Sequence, residues 1–67
     1  MTLGENIRRK RLEYDLEQQE LAKRVNVTKS FICQIEKGIQ VPSVKMLSKI
    51  ADVLHCSIDE LLGRKAS

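Results

Sequence analysis

Residues 28–37, TKSFICQIEK, concentrate hydrogen-bonding side chains at one end of a short helical pattern. Lys29, Ser30 and Gln34 are polar members of this segment that the apolar pattern leaves free. Glutamine can form two hydrogen bonds with adenine, lysine can donate to guanine, serine can contact either base, and a helix fits the major groove of B-DNA. A helix face that only contacts water would also be polar. These residue types alone therefore leave base reading and plain solvent exposure both open.

The elements that must position these side chains are two short helices joined by a tight corner. Within residues 18–38, Ala22 is the small residue that lets the helices touch, and Asn26 tolerates the left-handed backbone of a sharp turn. Ile32 and Ile35 follow a helical period and are expected to anchor the second helix inward. This combination predicts a helix-turn-helix, in which the first helix presents the second outward.

Helix signals recur along the rest of the chain. Thr2 and Glu5 form a capping-box pattern before a first helix, and Ser57 and Glu60 repeat it before a short fifth helix. Ser43 is a typical cap for a fourth helix. The apolar positions expected to face the core from that helix are Val44, Leu47, Ile50, Ala51 and Leu54. No segment alternates with period two for long enough to predict a strand, so the predicted fold class is all-α with five helices.

Length and composition limit the architecture further. A chain of 67 residues supports one domain with a thin core, and Tyr14 and Phe31 are its only aromatic residues, so the core must be aliphatic. We expect one domain over residues 1–63 and a flexible polar tail over residues 64–67. No apolar run is long enough for a membrane span or a signal peptide, which predicts a cytoplasmic protein with no membrane partner.

Few residues are of the types that carry catalysis or metal binding. Cys33 and Cys56 are too few for a zinc ribbon or a disulfide framework. We interpret them as partly buried small side chains, with a redox switch at Cys33 or a metal site as the alternatives. His55 has no second ligand near it in the pattern. With no nucleophile paired to a base and no phosphate-binding glycine loop, the sequence predicts no enzyme, no metal and no cofactor.

Spaced positions along almost the whole chain agree with one known pattern. They include Gln18-x-x-Leu21-Ala22, Val25-x-Val27-Thr28-x-Ser30, Ile32-x-x-Ile35-Glu36-x-Gly38, Pro42-Ser43, Leu47-x-x-Ile50-Ala51 and residues 57–62. On these residues the chain resembles the Cro/phage-repressor class of helix-turn-helix regulators, also called XRE-like. The resemblance implies a five-helix domain like that of lambda repressor, with helices 2 and 3 forming the helix-turn-helix.

The resemblance also implies roles for individual residues. Lys29, Ser30 and Gln34 occupy the base-contacting positions of the family. Arg11 and Glu36 match a charged pair that ties the first helix to the recognition helix. The expected contacts with the DNA backbone are Gln18, Thr28, Phe31, Lys37, Gly38, Gln40 and Lys10. The run Arg8 to Arg11 cannot share one helix face, because consecutive helical residues lie about 100° apart. With Arg11 assigned to Glu36, Lys10 is the residue of this run expected to approach a phosphate, and Arg8 and Arg9 are expected to be solvated.

Four residues depart from the family pattern, and one of them, Cys33, replaces a small polar residue. Glu17 stands where many relatives have Thr or Ser, which removes a common helix cap and places a carboxylate near an expected phosphate. Asn26 replaces the more common Gly. Phe31 stands where Tyr or a small polar residue is frequent, and two roles remain open for it. It packs against the first helix, or it contacts a thymine methyl group or the sugar edge.

The implied function is sequence-specific binding to double-stranded DNA by a transcriptional repressor. The net charge of +3 fits a protein that places a few cations and argues against a polybasic non-specific binder. A homodimer on a near-palindromic operator is expected, with residues near His55, Ile58 and Leu62 as the dimer surface. The alternatives are an antitoxin-like protein-interaction module and the DNA-binding half of a larger ligand-sensing regulator. A prokaryotic nucleoid-associated or phage-encoded protein is the expected setting.

Overall fold

The computed structural model describes residues 2–64, and over these residues it contains five helices and no strand. The helices are α1 (Leu3–Glu13), α2 (Gln18–Arg24), α3 (Lys29–Glu36), α4 (Val44–Val53) and α5 (Ile58–Leu62). The predicted all-α, five-helix fold is therefore confirmed. Of the predicted tail, residues 65–67 lie outside the described residues. In the described part of the chain, no helix is both long and apolar enough to cross a membrane.

Local hydrogen bonds define where most of the helices begin. The Thr2 hydroxyl accepts from the Glu5 N–H at 3.2 Å, and the Glu5 carboxylate accepts from the Thr2 N–H at 3.0 Å. Hydrogen bonds from the Thr2 N–H and the Thr2 hydroxyl to the Glu5 carboxylate lower the pKa of Glu5. Ser57 and Glu60 form the same reciprocal pair before α5, at 3.1 and 2.9 Å. These two capping boxes satisfy donors that a helix start would otherwise leave unpaired.

Left-handed residues end the helices and turn the chain. Asp15, Asn26 and His55 have φ of 54°, 61° and 53° and follow α1, α2 and α4. At the corner between α2 and α3, the Val27 N–H donates to the Ala22 carbonyl at 2.9 Å, which closes the last turn of α2. Asn26 thus has the backbone conformation that the sharp corner requires, and α3 starts only three residues later.

The core is aliphatic, as the composition requires. Its buried members come from all five helices and the turns that follow them: Ile7, Leu16, Leu21, Ala22, Val25, Ile32, Ile35, Leu47, Ile50, Ala51, Leu54 and Leu61. The prediction that Val44 faces the core is wrong, since its side chain is 78% exposed. Val44 is the first residue of α4, and the chain enters the core two residues earlier through the buried Pro42. The apolar stripe of α4 begins at Leu47, one turn later.

A buried ion pair joins α1 to the end of α3. The Arg11 Nε lies 2.7 Å from Glu36 Oε2, and the Arg11 Nη2 donates to Glu36 Oε1 at 3.1 Å. The third guanidinium nitrogen, Nη1, donates to the Leu16 carbonyl at 2.6 Å. The side chains are only 8% and 3% exposed. This two-point contact fixes α3 against α1, in the geometry that makes Arg–carboxylate pairs specific.

Gly4 lets α1 approach the same end of α3. A Cβ atom on Gly4 would lie 2.4 Å from the Glu36 carbonyl oxygen and 2.5 Å from the Ile35 carbonyl oxygen. Both neighbours are backbone atoms, which cannot move aside as a flexible side chain can. At the other side of α1, the buried Asn6 Nδ2 donates to the Leu61 carbonyl at 3.0 Å and so holds α5. Neither the close packing at Gly4 nor the hydrogen bond of Asn6 was predicted from the sequence.

We expect Gly4→Ala to lower the free energy of unfolding by about 1–3 kcal/mol, because the added methyl overlaps backbone atoms of α3. Alanine is the better helix former by about 1 kcal/mol, so propensity alone predicts the opposite sign. Urea denaturation measures the change. Ser48→Ala, at an exposed position of α4, is the control and should stay within about 0.5 kcal/mol. A Gly4→Ala protein as stable as the parent would contradict the close packing.

Arg11→Met should cost about 3–5 kcal/mol, because it leaves the Glu36 carboxylate buried without its partner. The double variant Arg11→Met/Glu36→Met should be clearly more stable than the sum of the single losses predicts, since no charge is then left buried. Denaturant unfolding of the four proteins completes a double-mutant cycle. Losses that simply add would show that the two side chains do not act as a pair.

Candidate nucleic-acid interface

The N-terminal half of α3 carries polar side chains outward and apolar side chains inward. The Thr28 hydroxyl accepts from the Phe31 N–H at 3.1 Å and so begins the helix. Lys29 and Ser30 are exposed, and Gln34 is half-buried. Ser30 and Gln34 are four residues apart and therefore lie on the same side of the helix. Lys29 and Ser30 thus lie exposed at the start of α3, and Gln34 lies one turn after Ser30 on the same side.

Phe31 is half-buried and packs against the hydrophobic core. Its ring therefore serves the fold at least in part, as one of the two interpretations of the sequence requires. A contact with DNA by the exposed part of the ring stays a prediction. Cys33, also half-buried on α3, is a free cysteine.

Gln18 is the first residue of α2, where the sequence analysis placed it, but its side chain has a partner within the protein. The Gln18 Nε2 donates to Glu36 Oε1 at 3.1 Å, the same carboxylate oxygen that the Arg11 Nη2 contacts. One N–H and the carbonyl oxygen of the amide remain for an outside partner. This bond was not predicted from the sequence. Residues 18 apart in sequence gave no local signal for it.

A polar cleft opens beside the start of α3. The residues that line it are Arg11, Glu17, Gln18, Gln19 and Lys29. Arg11 is neutralised by Glu36 and is almost entirely buried, so Lys29 and Glu17 supply the exposed charges. The cleft therefore brings together a predicted base-contacting residue, a predicted phosphate-contacting residue and the carboxylate of Glu17.

The turn after α3 offers side chains rather than backbone donors. Lys37 ends the helix, and Gly38 follows with φ of 80°. The N–H groups of Ile39 and Gln40 both donate to the Gln34 carbonyl, at 2.9 and 3.2 Å, and the Gly38 N–H donates to Ile35 at 3.1 Å. These amides are thus already paired inside the chain. The exposed side chains of Lys37 and Gln40 are the groups left to contact a phosphate.

Lys10 lies apart from this set. Its Nζ is 3.8 Å from Glu13 Oε1. Its positive charge also acts to lower the pKa of the Cys56 thiol. Burial and the Glu60 carboxylate outweigh this effect and raise the pKa of the Cys56 thiol, which favours its protonated form at neutral pH. Nearby, the rings of Tyr14 and His55 meet with centroids 5.4 Å apart. Within residues 2–64 no group of three or more His, Cys, Asp or Glu could hold a metal ion.

The chain resembles known proteins along its length. A helix-turn-helix family model matches residues 7–61. The HTH-type transcriptional regulator SinR of Bacillus licheniformis is 36% identical over 64 residues, which are 94% of this chain. This chain spans only 58% of the length of that relative.

Two solved structures have the same fold. The P22 c2 repressor in complex with the synthetic operator 9T superposes with a TM-score of 0.91 at 32% identity, covering 97% of this chain and 98% of that chain. The biofilm master regulator SinR in complex with DNA gives a TM-score of 0.85 at 35% identity, covering 91% and 98%. The names of these relatives are those of regulators rather than enzymes. The family model covers most of the residues, and the five helices follow those of a phage repressor, so this chain belongs to the helix-turn-helix family of the phage-repressor (XRE) type.

Proposed function

We propose that this chain is a sequence-specific DNA-binding module of a transcriptional repressor, which inserts α3 into the major groove of double-stranded DNA. The observation that carries the proposal is the outward polar end of α3, on a helix whose other side is fixed by Ile32, Ile35 and the Glu36 ion pair. A rigid helix with exposed Lys29 and Ser30 and a half-buried Gln34 suits base recognition, because reading requires donors at fixed positions. P22 c2 repressor and SinR, which share this fold, have been solved in complex with DNA, and this supports DNA as the partner.

The proposed contacts with DNA are of two classes. Lys29, Ser30 and Gln34 read base edges, whereas the residues around them bind sugar and phosphate and set the register. The backbone set is Gln18, Thr28, Phe31, Lys37, Gly38, Gln40 and Lys10. Within this set we expect Lys37 and Gln40 to contribute side chains, because the nearby backbone N–H groups are already paired, and Gln18 to contribute the free half of its amide. Lys10, which does not line the cleft, is expected to be a peripheral contact.

An interaction module of the antitoxin kind would instead need an apolar surface on α3. The two exposed residues at the start of α3, Lys29 and Ser30, are polar. DNA is therefore the better match for this face. This chain spans 58% of the length of SinR of Bacillus licheniformis. The proposal therefore concerns a DNA-binding module and not the activity of a whole regulator.

A homodimer would give this module useful specificity. One short helix reads only a few base pairs, and two copies placed about one helical turn, roughly 34 Å, apart read a near-palindromic operator. The proposed dimer surface lies near His55, Ile58 and Leu62. Leu62 is 40% exposed, His55 is exposed and Ile58 is half-buried, so an apolar contact is available at this end of the fold.

Gln34→Ala should cost about 1–3 kcal/mol of binding free energy and relax the preference at one base position. Lys37→Ala should weaken all sequences alike and reduce the slope of log K against log salt by about 1, since one phosphate contact is lost. Binding sites are first selected from a random double-stranded pool, and anisotropy titrations then compare the selected site with its single-base variants. Lys49→Ala, exposed on α4, is the charge-matched control. If the Gln34 and Lys37 variants changed base preference and salt dependence in the same way, the assignment of Gln34 to a base and Lys37 to a phosphate would be refuted.

Leu62→Glu should weaken self-association and cooperative operator binding, because it places a charge in the proposed apolar contact. Sedimentation equilibrium measures the dimer constant, and an expected loss of about tenfold or more matches one desolvated charge at an interface. Val44→Glu is the matched control, since Val44 is equally apolar and 78% exposed. Loss of dimer in the Val44 variant alone would place the dimer surface at the start of α4 instead.

A further inference from the structure

The carboxylate of Glu17 has no visible role in holding this fold together. Glu17 precedes α2 with an extended backbone, φ −82° and ψ 160°, but its side chain makes no capping hydrogen bond. The residues before α1, α3, α4 and α5 do cap their helices: Thr2, Thr28, Ser43 and Ser57. Among residues 2–64 the ion pairs are Lys10–Glu13 and Arg11–Glu36, so Glu17 is paired with no cation there.

The position of Glu17 does matter for anything that enters the cleft beside α3. Its side chain lines that cleft together with Gln18 and Lys29. The Gln18 amide is tethered to Glu36, so it cannot swing out to cover the carboxylate without breaking that bond. The Arg11 guanidinium is neutralised by Glu36 in the same way. Lys29 thus supplies the other exposed charge among the residues that line the cleft, and it forms no ion pair with Glu17.

We propose that Glu17 acts as an electrostatic brake on DNA binding, lowering the affinity for the phosphate that approaches Gln18. The inference rests on the proposed function, since it requires that DNA approach this face. A carboxylate repels a phosphate at short range, and exclusion of water by the docked DNA strengthens the repulsion. Because a phosphate is present at every sequence, Glu17 reduces binding to all sequences by a similar factor.

Glu17→Gln removes the charge with almost no change in shape. We expect it to raise the affinity for the selected operator and for unrelated DNA by about three- to tenfold at low salt. The gain should shrink as salt rises through the range where the screening length falls below about 10 Å. Glu20→Gln is the matched control: the same charge change three residues later in the first turn of α2, exposed, and outside the lining of the cleft. It should change affinity less than twofold.

Two more variants separate charge from helix capping. Glu17→Asp keeps the charge and adds a capping side chain, so it should raise the Tm by about 4–8 °C and leave DNA affinity unchanged. Glu17→Thr adds a cap and removes the charge, so it should raise both. Titrations on the full chain, with a melting curve for each variant, give both quantities from the same samples.

Each result decides the matter. A gain in Glu17→Gln and Glu17→Thr, with none in Glu17→Asp or Glu20→Gln, supports the brake. Equal gains in Glu17→Gln and Glu20→Gln show an effect of net charge alone, and a gain in Glu17→Asp shows an effect of helix order; either overturns the inference. Unchanged affinity in Glu17→Gln also overturns it while the proposed function stands. Absence of DNA binding by the parent and all variants at low salt overturns the proposed function itself.

Discussion

The buried carboxylate of Glu36 is the point on which the arrangement of the first three helices depends. It lies at the end of α3 and receives hydrogen bonds from Arg11 of α1 and Gln18 of α2. Neither ion of such a pair tolerates burial alone, so the helices are held at distances that keep both partners satisfied. Gly4 makes the required approach possible, because a side chain there would overlap the carbonyl of Glu36 itself. The end of α3 is thereby fixed from two sides.

The start of α3 is fixed by a different device, the corner that precedes it. Asn26 takes the left-handed conformation at modest cost because its short polar side chain tolerates it. Thr28 then satisfies the Phe31 N–H and begins the helix. With both ends fixed, the outward direction of Lys29 and Ser30 follows from the backbone and from the burial of Ile32 and Ile35. Polar groups that build the fold are thus kept separate from polar groups that remain free on the surface.

Local patterns in the sequence were sufficient to predict the five helices, the side-chain caps at Thr2, Ser43 and Ser57 and the left-handed corner at Asn26, because each depends on residues a few positions apart. The family resemblance pointed to Arg11 and Glu36. What remained hidden depends on neighbours distant in sequence. The need for glycine at position 4 becomes visible only when α3 lies against it, and the Gln18–Glu36 bond joins two helices. Val44 continues the helical period of α4, but no element lies over it, so periodicity alone placed it inside.

The charge distribution of the chain suits sequence-specific recognition of DNA better than non-specific electrostatic binding. The net charge is small, and the opposite charges of the buried Arg11–Glu36 pair offset each other. For a DNA-binding module, the useful quantity is the ratio of specific to non-specific affinity rather than the affinity itself. A carboxylate that opposes every phosphate lowers both affinities together and leaves the contribution of Ser30 and Gln34 to that ratio intact. On this view Glu17 and the base-facing side chains act on separate quantities. The first sets how tightly the module binds any DNA, and the second set decides which DNA it prefers.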